Sequence, residues 1–318
     1  MFKGSNVALV TPFKNDKLDD ETYIKLIHFH IKNGTNGLVP AGTTGESPTL
    51  SHKEHKEVVE ECIKIVDKRV PIIAGTGSNN TAVGSKSLKL NTTGYGNTAI
   101  GDETMEGNTT GYNNTAVGKN SLQDNVTGYS NTAMGLFSMR LNTTGCWNTA
   151  SGYQALYANT TANNNTASGY QSLKSNTTGD HNTAFGNQAL FTNTTGTDNT
   201  AVGPYSMLYN STGCLNTATG YSAMYCNTTG LRNSAVGYEA LRNNTTGCRS
   251  TAIGTCALRS ATTGGFNTAV GRESLKSNTT ADHNTGCGQR SLSLTTTGAH
   301  NTAVGGNSMY ANTTGDDN

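Results

Sequence analysis

Asn97-Thr-Ala-Ile-Gly-Asp-Glu-Thr-Met-Glu-Gly-Asn-Thr-Thr-Gly-Tyr-Asn113 is followed at once by Asn114-Thr-Ala-Val-Gly118, which begins the same 17-residue phrase again. The phrase fills residues 80–317 in fourteen complete units without an insertion or deletion, and so strict a period marks a solenoid. Counted from its asparagine, a unit reads Asn-Thr-Ala-x-Gly-x-x-(Ala/Ser)-(Leu/Met)-x-x-Asn-Thr-Thr-Gly-x-x. Position five is glycine in every copy, from Gly84 to Gly305. Asn318 starts another unit, so the array breaks off in mid-phrase and reads as a fragment.

Comparing fourteen copies shows which positions tolerate change, and intolerance reports confinement. Position three is Ala everywhere except Gly286, which places it against a narrow interior. Position nine is always Leu or Met and is assigned to the core. Position four ranges over Val83, Ile100, Met134, Ser151, Phe185, Thr219 and Cys287, a mostly apolar set without a fixed size, which suits a face closed by a neighbouring chain. Asn-Thr-Ala-x-Gly predicts a short strand, and the Ala/Ser-Leu part predicts a second. Asn-Thr-Thr-Gly predicts a turn whose glycine takes positive φ. Stacked at ~4.8 Å per rung, fourteen coils reach roughly 65 Å. Asparagines at positions one and twelve then lie above one another as amide ladders. The expected fold is mostly β: a parallel β-solenoid or β-roll of fourteen 17-residue coils. One such coil encloses little apolar area, so association is expected to cover it.

Composition divides the chain at residue 79. Four of five prolines and 20 of the charged residues fall in residues 1–79, while residues 80–318 are built from Asn, Thr, Gly, Ala and Ser. A net charge of +1 without a basic run gives no electrostatic case for a nucleic acid partner. No basic-then-apolar leader and no run of ~18 apolar residues occurs, which argues against a signal peptide and a membrane span. The seven cysteines lack metal-type spacing, although Cys146, Cys214 and Cys248 share one phase of the repeat.

The repeats Asn97-Thr-Ala-Ile-Gly101 and Asn114-Thr-Ala-Val-Gly118 resemble the β-roll heads of trimeric autotransporter adhesins. They resemble still more closely the Asn-Thr-Ala-Val-Gly repeats of phage tail fibres and large-virus proteins. Over residues 80–318 that resemblance implies a homotrimer displayed on a virion or cell surface, a receptor or glycan as partner, and no enzymatic site. Tyr153, Tyr170, Tyr221 and Tyr238 share a phase and are candidates for a glycan-binding stripe, against the simpler reading of an exposed column. Asn-Thr-Thr also matches the glycan acceptor pattern, but it follows from the repeat itself. An ice-binding reading of the threonine columns fails because the paired threonines are adjacent and point to opposite faces of a strand.

Residues 1–79 have ordinary globular chemistry. Strands are predicted at 6–10, 37–39 and 70–74, and a helix at 21–32 stopped by Asn33-Gly34. A second helix starts at a Ser51/Glu54 capping box and carries Val58, Val59, Cys62, Ile63 and Val66 on one face. The order βαβαβ implies parallel pairing. His28, His30, His52 and His55 invite a metal reading, but their spacing diverges and ordinary surface histidines are the expectation.

Gly4-Ser-Asn-Val-Ala-Leu-Val-Thr-Pro-Phe13, Ala41-Gly-Thr-Thr-Gly-Glu-Ser47, His52-Lys-Glu-His55 and Pro71-Ile-Ile-Ala-Gly-Thr-Gly-Ser78 occur in order. Together they resemble the N-terminus of the 4-hydroxy-tetrahydrodipicolinate synthase (dihydrodipicolinate synthase) family, pyruvate-dependent lyases with a TIM barrel. The resemblance implies a βαβαβ fragment of that barrel, with Thr43 in the proton relay and Thr44 on the pyruvate carboxylate. It also implies a later Schiff-base lysine, a tyrosine and an arginine, and the sequence after Ser78 is repeat instead. Lys86, Lys89, Lys119, Lys174 and Lys276 occupy variable repeat positions that offer no desolvation to an attacking amine. No cofactor and no metal are expected.

Ser78-Asn-Asn-Thr-Ala82 fits both segments, as a chimeric reading frame joined within shared sequence would. The expectation is a non-catalytic fibre-type repeat protein fused to an incomplete synthase N-terminus, on a virion or cell surface. The alternative is a cytoplasmic synthase condensing pyruvate with aspartate semialdehyde for lysine biosynthesis.

Overall fold

The computed structural model describes residues 5–15, 17–41, 50, 52–74 and 80–318, with the backbone alone at 52 and 53. These fall into two compact units, Met1–Asn131 and Thr132–Asn318.

The first unit begins with β1 (Asn6–Ala8), a two-residue hairpin of β2 (Phe13–Lys14) and β3 (Lys17–Leu18), α1 (Asp20–Lys32), β4 (Gly37–Val39) and α2 (His52–Val66). Asp19 caps α1, its carboxylate accepting from the Thr22 N–H at 3.2 Å and the Thr22 hydroxyl at 2.8 Å. Asn33 and Gly34, the latter at φ 81°, end the helix. β1 and β4 pair in parallel, as the βαβαβ pattern predicts. The third predicted strand is reduced to a single parallel bridge between Leu38 and Ile72. Leu9, Tyr23, Ile27, Leu38, Val58, Cys62 and Val66 form the core of this segment. Ile63, predicted on the apolar face of α2, is 53% exposed, because Val58, Cys62 and Val66 at four-residue spacing define a narrower stripe. The β2–β3 hairpin was not anticipated. Its corner is Asn15 at φ 53°, a conformation asparagine tolerates.

Each repeat unit then contributes one strand: β5 (Thr81–Val83), β6 (Thr98–Ile100) and β7 (Thr115–Val117) in the first unit, and β8 (Thr132–Met134) through β18 (Thr302–Val304) in the second, always 17 residues apart. Within each unit consecutive strands pair in parallel and in register, Ala on Ala, as Ala184 on Ala201. The repeat is a parallel β-solenoid.

The coil from Asn182 to Asp198 shows why a chain so poor in apolar bulk folds this way. Ala184 and Leu190 are fully buried, as predicted for positions three and nine. Asn182 and Asn193 are fully buried beside them. The Asn182 side-chain amide donates to the Gly196 carbonyl at 2.8 Å, and the Asn193 amide donates to the same carbonyl at 3.0 Å. Asn199 N–H donates to Asn182 Oδ1 at 3.1 Å and Asn210 Nδ2 to Asn193 Oδ1 at 2.7 Å, so both predicted ladders form. The interior of this coil therefore holds a saturated amide network, and a fully satisfied network removes the penalty of burying polar groups.

Two expectations fail. The second strand is absent: positions six to eleven form a tight turn, in which positions seven and nine are left-handed throughout, as at Gln188 (φ 52°) and Leu190 (φ 52°). The turn glycine at position fifteen does not take positive φ; position seventeen does, as at Asp198 (φ 58°). Crowding favours glycine at fifteen, since a Cβ on Gly196 would lie 2.4 Å from the Gly213 carbonyl oxygen, although two coils accommodate alanine there, at Ala162 and Ala281. Position five needs glycine for conformation, Gly186 standing at φ 131°.

Candidate functional site

Thr43 and Thr44, the two candidate pyruvate-binding residues, and the Ser51 cap lie outside the described residues. The described neighbourhood is the end of β4, which leads into Pro40 and Ala41 at φ 49°. Beneath it Tyr23 and Cys62 meet in the core. Burial pushes the Cys62 thiol up to about 11 and raises the Tyr23 phenol well above its ordinary value. Both groups are thereby held neutral.

The candidate lysines are ion-paired or packed on the solenoid surface. Lys86 Nζ lies 2.6 Å from Glu103, Lys89 3.3 Å from Glu106, Lys119 3.1 Å from Asp102 and Lys276 3.6 Å from Glu273. Lys174 sits over the Phe191 ring at 5.4 Å. The hydrogen bond from Lys86 to Glu103 raises the amine's pKa. A carbonyl-attacking amine needs the opposite shift.

His28 and His30 make separate contacts. His28 Nδ1 faces the Arg69 guanidinium at 3.5 Å, while His30 packs edge-on against Phe29. The His52 side chain lies outside the described residues. Among the described residues no group of three His, Cys, Asp or Glu could hold a metal ion. All seven cysteines are free thiols. In the shared-phase column, Cys214 Sγ accepts the Thr197 N–H at 3.3 Å and Cys248 Sγ accepts the Leu231 N–H at 3.4 Å, taking the place of a ladder oxygen.

The tyrosine column forms two stacked pairs, Tyr153 on Tyr170 and Tyr221 on Tyr238, each with ring centres 5.4 Å apart. In each pair one face of each ring is turned to its neighbour, and all four rings stay exposed. Two further stacks were missed: Tyr95, Tyr112 and Tyr129 at position sixteen, 5.0 and 4.7 Å apart, and Phe266, His283 and His300 at position seventeen, 4.9 and 5.0 Å apart. Their shared phase in the repeat was the available signal. No described helix is long and apolar enough to cross a membrane.

The repeat thus defines a solenoid protein, and the first segment has a separate affiliation. Residues 1–100 match the dihydrodipicolinate synthetase family. Curated relatives include the 4-hydroxy-tetrahydrodipicolinate synthase of Pelagibacter ubique, 72% identical over 81 residues, and that of Parvibaculum lavamentivorans, 65% identical over 81 residues. These alignments take in 26% of this chain, which spans 28% of the length of either relative. Solved structures include dihydrodipicolinate synthase from Aquifex aeolicus, 47% identical with a TM-score of 0.24, covering 25% of this chain and 26% of that one. The chloride-inhibited enzyme from Acinetobacter baumannii, complexed with pyruvate, is 46% identical with a TM-score of 0.24, over 25% of this chain and 27% of that one.

Proposed function

We propose that this chain is a non-catalytic, fibre-type structural protein whose working part is the solenoid, joined as a chimeric reading frame to an incomplete synthase-like segment. The observation that carries the reading is the division of labour within each coil. Interior positions are held constant by burial and by the amide ladders, whereas outward positions six, seven, ten and sixteen vary freely from coil to coil. An active site needs the reverse, a unique convergence of outward groups, and an extended scaffold needs only a repeatable interior. A surface-displayed role with a receptor or glycan partner belongs to this reading.

The 72% identity over 81 residues favours an origin of the first segment in a synthase gene, which keeps pyruvate chemistry as the second reading. Borohydride reduction in the presence of pyruvate, followed by intact-mass measurement, separates the two. The fibre reading expects an unchanged mass. A stable pyruvate adduct overturns it. A single-molecule DNA read from the source across the codons for Lys53 to Gly118 tests the joined frame, with one continuous read expected and separate continuation of the two sides contradicting it.

A further inference from the structure

The strand face of the solenoid carries a pattern that internal architecture does not require. Positions two and four both point outward, with the buried alanine between them. In-register pairing stacks them into two parallel columns. Across all fourteen coils the two columns contain Thr, Ser, Val, Ile, Met, Phe and Cys and never a charged residue. Every charge of the repeat sits instead at positions six, seven, ten, eleven, sixteen or seventeen. Solvated sheet faces collect charges, and interface cores exclude them. The apolar column is open to solvent in the single chain: Phe185 is 50%, Val202 39%, Val236 41% and Ile253 43% exposed.

We propose that this face is the docking surface for a second copy of the chain, two strand faces packing against each other as the sheets of a β-sandwich. The pairing rests on the solenoid reading above. Area supports it. The eleven strands of the second unit, at ~4.8 Å per rung and ~10 Å per three-residue strand, offer about 500 Å² per copy. A pair buries about 1,000 Å² before the flanking positions are counted, which meets the lower bound for a biological interface. Neutrality supports it too, because two identical faces meet without like-charge repulsion and need no complementary partner. The position-four column is apolar from Val236 through Val304 and at Met134, Phe185 and Val202, interrupted by Ser151, Ser168 and Thr219, and exposed apolar runs of this kind mark interaction surfaces. The other charge-free exposed column, at position fourteen, is threonine throughout, so each copy has one charge-free face with an apolar column, and two copies close the assembly, where the adhesin resemblance implied three.

The test uses the full chain and two double variants, V202D/V236D and V202K/V236K. Whether the copies run parallel or antiparallel about the central strand β13 (Thr217–Thr219), each double variant sets like charges opposite one another. Light scattering at micromolar concentration is expected to give the mass of two copies for the unmodified chain. Each variant alone is expected to pair at least about a hundredfold more weakly, since like charges across an interface cost several kcal/mol. An equimolar mixture of the two variants is expected to recover a one-to-one pair. A monomeric unmodified chain overturns the proposal, and so does a mixture that stays monomeric while each variant keeps its β-rich circular dichroism. A three-copy mass overturns the pair in favour of a three-fold arrangement. Loss of β-rich circular dichroism in the unmodified chain would instead overturn the solenoid reading.

Discussion

Position twelve is asparagine in every coil except two, and those two, Ala261 and Thr295, flank Asn278. The ladder is broken on both sides of that residue. Asn278 Nδ2 and Oδ1 and Asn244 Oδ1 are buried without hydrogen-bond partners. Ala261→Asn would splice the ladder, its new amide donating to Asn244 Oδ1 and to the Gly264 carbonyl and accepting from Asn278 Nδ2, as Asn193 does among its own neighbours. Each buried orphan costs ~1–3 kcal/mol. Ordering one more side chain returns about 1 kcal/mol of that, leaving a net gain of about 2 kcal/mol. Repeat arrays open locally, so the assay is amide hydrogen exchange rather than a single melting temperature. Exchange of the slow amides in the coils around residues 244–278 is expected to slow by about thirtyfold, at tenfold per ~1.4 kcal/mol. Asn176→Ala, cut into an intact stretch where Asn176 joins Asn159 and Asn193, is the mirror experiment and is expected to cost about 3 kcal/mol. Unchanged exchange in both variants would refute the claim that the amide ladders hold the coils together.

Other outcomes follow from the same coil geometry. Gln188→Thr places a β-branched residue at a left-handed position and is expected to cost ~1–2 kcal/mol in local opening, with Gln188→Asn tolerated; hydrogen exchange of the same coil reads both. Lys86 and then Asn120, by their hydrogen bonds, hold the Glu103 carboxyl below its ordinary value. Its small stabilising contribution is therefore present above the ordinary glutamate range and is lost as pH falls through the lowered folded value. An NMR titration is expected to show Glu103 titrating low, and Lys86→Met moving it upward. Because burial raises Cys62 to about 11, iodoacetamide at mildly alkaline pH is expected to spare Cys62 and to label Cys287 readily in the V202D/V236D variant, whose strand face is left uncovered, as peptide mass mapping reads.

Much of the coil was legible because burial leaves a mark on every copy. Alanine at position three, Leu or Met at nine and asparagine at one and twelve recur under confinement, with Gly286, Ser250, Ala261 and Thr295 the exceptions, and each lies where its recurrence indicated. The missing second strand had a signal that hydrophobicity concealed. Positions seven, nine and seventeen never hold Val, Ile or Thr in fourteen coils, as left-handed backbone demands of side chains branched at Cβ. Leu190 was read as a strand residue from its apolarity, whereas the absence of Val and Ile at its position describes its backbone. Glycine at fifteen was read as a conformational requirement, but its prevalence comes from the crowded carbonyl of the next coil, as at Gly213 beside Gly196, and the alanines at Ala162 and Ala281 already showed that positive φ was not the reason. In the first segment, Ile72 reached only a bridge where local apolarity suggested a strand, because ladder length depends on a partner that local sequence does not show. Thr43 and Thr44 came from resemblance to a family, and the described structure adds no geometry to them.

The central claim is that each 17 residues advance the chain by one sheet spacing. Electron–electron resonance distances between spin labels on unnatural side chains test it directly at the outward sixth positions Asn187, Thr255 and Gln289, with labelled chain diluted in unlabelled chain. Four coils separate the first pair and six separate Asn187 from Gln289, so distances of about 19 and 29 Å, narrow and linear in coil number, are expected. Broad distributions centred near 45 Å or beyond, growing as the square root of sequence separation, would mark a flexible chain and contradict the solenoid.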